Sequence, residues 1–296
     1  MNAEMSYLLG MICGNGEIQR NSLYTIISIS IPHKKLETED FHDVKLYVKA
    51  SIADIRTILE PLVGSGLNFI QGKKATILSF SKENTDYLIR EIGRYIGNAL
   101  SHNDILIHQD VFLFSHDEKR QFIKGFADVT GYIRRSNYYY EKYKHRVYLE
   151  ITHNWQLVVD ICNILKSIDI PVQTIDWAHP NIRDGKLTKY NQGNHNFWKK
   201  EHQIKIWANE FLAVGFGVLH KQQALDTYAS ELVAGYRCLE QDIESQTHKY
   251  YWNSRTNKVN EKPYHPCEND NFIPMQIRGR HFNSWKEIAM ELGYGE

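Results

Sequence analysis

Apolar and small residues fill "YLLGMICG" (7 to 14), and the run ends at Asn15 between Gly14 and Gly16. That pattern predicts a small-residue helix turning directly into extended chain. Gly10 and Gly14 lie about one turn apart in it, although a glycine in a helix interior costs roughly 1 kcal/mol against alanine. Something outside the helix must require them.

Behind this helix, "SLYTIISISI" (22 to 31) is rich in β-branched residues and reads as a strand, and "DVKLYVKA" (43 to 50) alternates and reads as its partner. Ile52, Ile55, Leu59 and Leu62 then recur at helical spacing until Gly64 and Gly66 stop the run. "ATILSF" (75 to 80) reads as a strand and "ENTDYLIREIGRYIGNAL" (83 to 100) as an amphipathic helix. The order then restarts. Ser115 with Glu118 three places on is a capping-box signature, opening a helix that carries "KRQFIKGFAD" and breaks at Gly131. Strands "YIRRS" and "HRVYLEI" follow, then a helix from Asn154 to Ser167 with Trp155, Val158, Val159, Cys162 and Leu165 on one side. Strand "HQIKIWA" (202 to 208) and a helix around "EFLAVGFGVL" (210 to 219) complete the second half.

Each half reads helix, strand pair, helix, strand or hairpin, helix. "KASIADIRTILEPLVGSGL" (49 to 67) and "EITHNWQLVVDICNILKSIDI" (150 to 170) line up in pattern with weaker identity. The expected architecture is therefore α+β, a duplicated unit related by a pseudo-dyad, with repeats over 1–113 and 114–232 and an extension over 233–296. In the extension, 229 to 246 reads as a helix, "KYYWNSRTNKVNEKPYHPCENDN" as irregular, and "SWKEIAMELGY" (284 to 294) as a short helix capped by Ser284. This tail is expected to pack on the body; the alternative is that "RGRHFNSWKEIA" extends a nucleic-acid contact.

Composition narrows the class. Over 296 residues, 42% hydrophobic and 12% aromatic content suffices for one large or two moderate cores. The formal net charge is zero, so only local clustering can point to a polyanionic partner. Cys13, Cys162, Cys238 and Cys267 form no C-x-x-C pair, which argues against a disulfide framework and for a reducing cytoplasm. Cys238, His248, His265 and Cys267 are poorly spaced for zinc. The N-terminal run lacks the basic region and long apolar core of an export signal, and no stretch reaches membrane-spanning length. No membrane partner is expected.

Two separated nonapeptides, "LLGMICGNG" (8 to 16) and "IKGFADVTG" (123 to 131), share glycines at their third and ninth positions, each at the start of one repeat. If the two helices pack along the pseudo-dyad, Gly10, Gly14 and Gly125 let their backbones approach, and the final glycine lets the chain turn into a strand. Both nonapeptides resemble the signature motif of the LAGLIDADG homing endonucleases, and the plan of residues 5 to 230 is similar to the single-chain, two-repeat members of that family. "GFGVLHKQQAL" (215 to 225) resembles the family's late segment ending in a basic residue near the active site.

The resemblance implies a curved β-saddle over the DNA major groove, a monomer acting on a long asymmetric double-stranded site, and phosphodiester cleavage with Mg²⁺ or Mn²⁺. It implies an acidic residue at the eighth motif position of each helix, because hard cations that activate water and stabilise a leaving oxygen need carboxylate oxygens. Here those positions are Asn15 and Thr130, both neutral. Asp128 and Glu17 are the nearest carboxylates, and Lys221 matches the basic residue that the resemblance implies steers water and stabilises developing charge. Three explanations stand open: cleavage lost while binding is kept, an engineered Asp→Asn change at Asn15 with nicking as one outcome, or a rearranged metal set using Asp128 or Glu17. The first leaves a non-cleaving binder, a transcriptional regulator or an RNA maturase.

Cations cluster on the second half. Arg134, Arg135, Lys142, Lys144 and Arg146 interleave with tyrosines, and Arg183, Lys186, Lys189, Lys199 and Lys200 lie in an amide-rich stretch, with Lys205 in the strand beyond. In the first half Arg20, Lys45 and Lys49, with Lys34 and Lys35, share their segments with acids. Arginine and lysine suit guanine edges and phosphates, and Asn and Gln suit adenine. Unlike halves predict an asymmetric site, with binding that weakens steeply as salt rises. Flanking protein-splicing residues are absent, so a free-standing protein is expected, cytoplasmic or in an organelle matrix.

Overall fold

The structure, a computed structural model, describes residues 2–39, 43–135, 145–152, 154–172, 174–176 and 201–230, with short strands at 251–253, 258–260, 275–277 and 280–282. Helix α1 (Ala3–Asn15) starts at Asn2, whose side chain accepts from the Met5 N–H at 2.9 Å. Every residue from Met5 to Gly14 is buried, as a helix without a polar face requires.

Strands β1 (Gly16–Arg20) and β2 (Tyr24–Pro32) follow, then the single turn α2 (His33–Leu36), α3 (Val44–Val63), β3 (Asn68–Gln71), β4 (Ala75–Glu83) and α4 (Tyr87–Ile96). The second half opens with α5 (His116–Thr130), on the expected capping box: Ser115 Oγ accepts from the Glu118 N–H, and the Glu118 carboxylate accepts from the Ser115 N–H. It continues through β5 (Gly131–Arg135), β6 (His145–Thr152), α6 (Trp155–Lys166), β7 (Thr174–Asp176), β8 (Glu201–Trp207), α7 (Ala208–Phe211) and α8 (Leu219–Ser230). The two sheets have the same antiparallel order, β1-β2-β4-β3 and β5-β6-β8-β7. The shared connectivity makes the chain a duplicated α+β protein.

Strand alternation sorts the faces. In the first sheet Thr25, Ile27, Ile29, Ile31, Leu78 and Phe80 are buried, while Tyr24, Ile26, Ser28, Ser30, Ile77, Ser79 and Ser81 lie on the opposite, open side. Val147, Leu149, Ile151, Ile204 and Ile206 do the same inward duty in the second sheet, and both sets join one hydrophobic core with α1 and α5. The first sheet thus keeps one open face, as half-buried antiparallel sheets do, whereas on the corresponding side of the second sheet Tyr148, Gln203 and Trp207 are buried as well.

Three sequence expectations for the two repeats are corrected. Residues 43 to 50 are not a strand: Asp43 accepts from the Lys45 and Leu46 N–H groups and caps α3, whose buried Tyr47, Ser51, Ile55, Leu59 and Val63 repeat every four residues. The short alternation of Val44, Leu46 and Val48 is overruled by that longer helical period, and the strands beside β2 are β1 and β4. The helix expected over 83 to 100 is shorter, because β4 runs to Glu83 and Asp86 caps α4. The helix expected over 210 to 219 stops at Phe211, and the chain turns through Gly215, with φ of 71°, before α8.

In the tail, β9 (Tyr251–Asn253) pairs with β10 (Lys258–Asn260) and β11 (Met275–Ile277) with β12 (Arg280–Phe282), both antiparallel. The segment expected to be irregular therefore contains a strand pair. The helices expected at 229 to 246 and 284 to 294 fall almost wholly outside the described residues. Among the described residues no helix is long and apolar enough to cross a membrane.

Candidate nucleic-acid interface and helix-end site

The opening glycines have a tertiary cause. A Cβ on Gly10 would stand 1.9 Å from the carbonyl oxygen of Phe122, and one on Gly125 would stand 2.0 Å from the carbonyl oxygen of Tyr7. Any side chain would force α1 and α5 apart. Gly14 is close-packed too, its absent Cβ 2.6 Å from Val129 Cγ2.

This crossing brings the two helix C-termini together. Asn15 Nδ2 donates to the Val129 carbonyl at 2.9 Å, tying the end of α1 to the last turn of α5. Thr130 Oγ1 donates to the Phe126 carbonyl of its own helix at 2.7 Å and is buried. Converging helix C-termini favour a cation through their unpaired carbonyls, but the two side chains there bring no negative charge.

Asp128 is turned away from this point, into the interior. Its Oδ2 accepts from the Tyr7 hydroxyl at 2.6 Å and from the Gly217 N–H at 2.8 Å. Lys221 is equally buried: its Nζ lies 3.8 Å from Asp128 Oδ1 and donates to the carbonyls of Ala127 at 3.1 Å and Gly131 at 3.0 Å. The ammonium closes the last turn of α5 as a C-terminal cap. Burial pushes the Asp128 carboxyl up, against the opposing pull of Lys221, Tyr7 and Gly217. Burial likewise pushes Lys221 down to about 8, against the pull of Asp128. Both groups serve the α5 end and the loop before α8.

Glu17 is exposed at the first outward position of β1. Among the described residues no group of three or more His, Cys, Asp or Glu side chains could hold a metal ion. An amide, a hydroxyl and one exposed carboxylate do not make the oxygen-rich anionic set that Mg²⁺ or Mn²⁺ needs. The residues present do not fit such an ion.

The corresponding face of the second sheet is built differently, with Tyr148, Gln203 and Trp207 buried and Arg134, Arg146 and Lys205 half-buried. Tyr132 opposes Tyr148 and Arg134 opposes Arg146 across β5 and β6; Tyr148 opposes Lys205 and Arg146 opposes Trp207 across β6 and β8. The two tyrosine rings stack with centroids 5.2 Å apart. Arg134 lies over Tyr148 at 4.6 Å, Arg146 over Trp207 at 4.2 Å and Lys205 over Tyr148 at 5.7 Å, all within cation–π range. Beside them Glu150 bonds Lys35 of the first half, accepts from Tyr132 Oη at 3.0 Å and from Gln203 Nε2 at 2.9 Å, and has Lys34 at 3.9 Å. Burial alone would raise the Glu150 carboxyl, but the Lys35 charge and hydrogen bond, with Lys34 and Tyr132, hold it below its ordinary range.

Other sequence candidates lie elsewhere. Arg20 donates to the Gly97 carbonyl at 3.0 Å, and Lys45 and Lys49 are exposed on α3 and belong to neither sheet. Arg135 ends β5, its N–H donating to Glu39 at 2.8 Å. Lys142, Lys144, Arg183, Lys186, Lys189, Lys199 and Lys200, and the zinc candidates Cys238, His248, His265 and Cys267, lie outside the described residues. Sequence reasoning passed over Tyr7, Lys35 as a partner of Glu150, and the aromatic supports Tyr148 and Trp207. Tyr7 had one signal, its place just before the first nonapeptide.

No family model matches the chain, and no curated protein does. Among solved structures it is similar to a variant of the homing endonuclease I-DmoI in complex with its target DNA and Mn, at 15% identity and a TM-score of 0.42 over 75% of this chain and 97% of that one. It is also similar to the LAGLIDADG homing endonuclease I-GzeII in complex with its DNA target, at 9% identity and a TM-score of 0.35 over 79% of this chain and 94% of that one. Full-length DUF199/WhiA from Thermatoga maritima gives 14% identity and a TM-score of 0.42 over 81% of this chain and 64% of that one. At identities of this size no residue's role transfers.

Proposed function

We propose that this chain is a LAGLIDADG-type protein that recognises double-stranded DNA with its two sheets and does so without efficient strand cleavage. The observation that carries this reading is a contrast. One face of the second sheet holds three half-buried cations, Arg134, Arg146 and Lys205, on aromatic rings, while the helix ends present Asn15 and Thr130, each bonded to main chain. Cations on a sheet face supply the phosphate and base-edge contacts of duplex binding. Neutral helix ends leave no anionic pair to gather divalent metal over a phosphate.

A second reading, hydrolysis through a rearranged metal set, has the exposed Glu17 beside the helix ends in its favour. Supercoiled DNA carrying a selected binding site, incubated with Mg²⁺ or Mn²⁺, separates the two. Tight binding without nicking by the wild-type chain supports recognition, and cutting or nicking by an Asn15→Asp variant alone identifies Asn15 as the missing ligand position. Site-specific cutting by the wild-type chain overturns the first reading in favour of the second.

A further inference from the structure

The joint between α1 and α5 does not by itself set how the two sheets lie. Packed helix pairs scatter by about 15–20° around their preferred crossing angles, so contacts away from the crossing decide the angle between the halves. Two such contacts are reciprocal: after its sheet, each half sends a segment across to a helix of the other.

From the first half the crossing segment is 102–105. Asn154, at the start of α6, donates through Nδ2 to the His102 carbonyl at 3.0 Å and to the Ile105 carbonyl at 2.9 Å, while its Oδ1 accepts from the Leu157 N–H at 3.0 Å. Both amide protons and the amide oxygen are engaged, in a side chain that is buried. The His102 N–H in turn donates to the Gly16 carbonyl at 2.8 Å, and His102 Nε2 lies 3.3 Å from Thr152 Oγ1. The first residue of β1 is thereby fastened to the last residue of β6.

From the second half the crossing segment is 215–220. Gly217 is wedged against the first half, where a Cβ would stand 2.9 Å from both Ile58 Cδ1 and Tyr7 Cε2. Asp54 on α3 accepts from the Leu219 N–H at 2.8 Å. This satisfies an open donor in the first turn of α8 and puts a carboxylate at the positive end of that helix. Next to it, His220 Nε2 donates to the Leu36 carbonyl at 2.6 Å.

We propose that Asn154 and Asp54 are positioning residues for duplex recognition: each clasps the segment arriving from the other half, and together they fix the angle between the sheets and so the length and twist of duplex that fits. Both act through the segments they hold and not through contacts with DNA. This rests on the duplex-recognition reading above and names what sets its geometry.

The test uses the full chain with a duplex that it selects from a randomised library, and the same duplex with one or two base pairs inserted at its centre. One inserted base pair moves one end by about 3.4 Å and turns it by about 35° against the other. The wild type is expected to lose about tenfold or more in affinity on one insertion. Asn154→Asp keeps the oxygen that caps α6 and loses both donors; Asp54→Ala loses its acceptor, and Asp54→Asn keeps one. In Asn154→Asp and Asp54→Ala the insertion penalty shrinks to a few-fold, while Asp54→Asn behaves as the wild type. A side chain that only stabilises the fold would lower the melting midpoint and leave the penalty as in the wild type. An unchanged penalty in folded Asn154→Asp and Asp54→Ala, or a wild type that binds the inserted duplexes equally well, overturns the positioning role and leaves duplex recognition standing. If Asn154→Asp does not fold, Asp54→Ala, at a half-buried position, decides. A wild type that selects no duplex overturns both.

Discussion

Gly10 and Gly125 occupy the same place on facing helices: each lies against the carbonyl of the residue three positions before the other, Phe122 for Gly10 and Tyr7 for Gly125. The reciprocity makes the α1–α5 crossing a two-fold joint between the repeats, and it explains why a helix tolerates glycine where propensity opposes it.

The joint predicts opposite outcomes for the same substitution at different glycines. Gly10→Ala or Gly125→Ala puts a methyl into main chain and lowers stability by about 3 kcal/mol, at the upper end for overpacking. Gly93→Ala, in α4 with nothing within 4 Å of the new methyl, raises stability by about 1 kcal/mol through helix propensity. Thermal melts of the three variants check the contrast.

Lys221 acts on the fold. Lys221→Met strands the Asp128 carboxylate in the interior and removes the cap on Ala127 and Gly131. Breaking a buried ion pair costs about 3 kcal/mol or more, so the midpoint of denaturant unfolding falls well below that of the wild type. Adding Asp128→Asn recovers part of the loss, because it removes the unpaired charge. An unchanged midpoint in Lys221→Met would show the lysine to be dispensable for stability.

Two buried groups give the chain a pH window. Glu150 is held below its ordinary 4.5, so its contribution is fully present above pH 4.5 and is lost as pH falls through its folded value. Tyr7 is raised well above 10 by burial, then by the Asp128 charge and hydrogen bond; its contribution is present below pH 10 and is lost as pH climbs toward its folded value. Melting temperature measured against pH falls at both ends, less steeply on the acid side for Glu150→Gln and on the alkaline side for Tyr7→Phe.

Much of this was legible in the chain itself. Local signals that act over three or four residues are legible, as in the Ser115–Glu118 box, the helix starting at Asn154 and the β-branched strands. The glycines of the two nonapeptides pointed to the α1–α5 contact because a costly residue in a helix demands an external reason. Eight residues of alternation at 43 to 50 misled because the buried period of α3 shows only over its full length. The partners of Asp128 and Lys221 were out of reach. Tyr7 and Gly217 are distant in sequence, and whether a carboxylate faces a cleft or the interior depends on how two helices cross. The pairing of Lys35 with Glu150 was hidden for the same reason, since it joins the two halves.

The measurement that bears most directly on the account is a binding titration of the full chain against labelled mixed-sequence duplex DNA, without metal, across a salt series, with single-stranded RNA as competitor. Saturable duplex binding is expected, with the logarithm of the binding constant falling linearly with the logarithm of salt concentration, and weak competition by RNA. No duplex binding at low salt, or displacement of duplex by RNA at equal concentration, would contradict it.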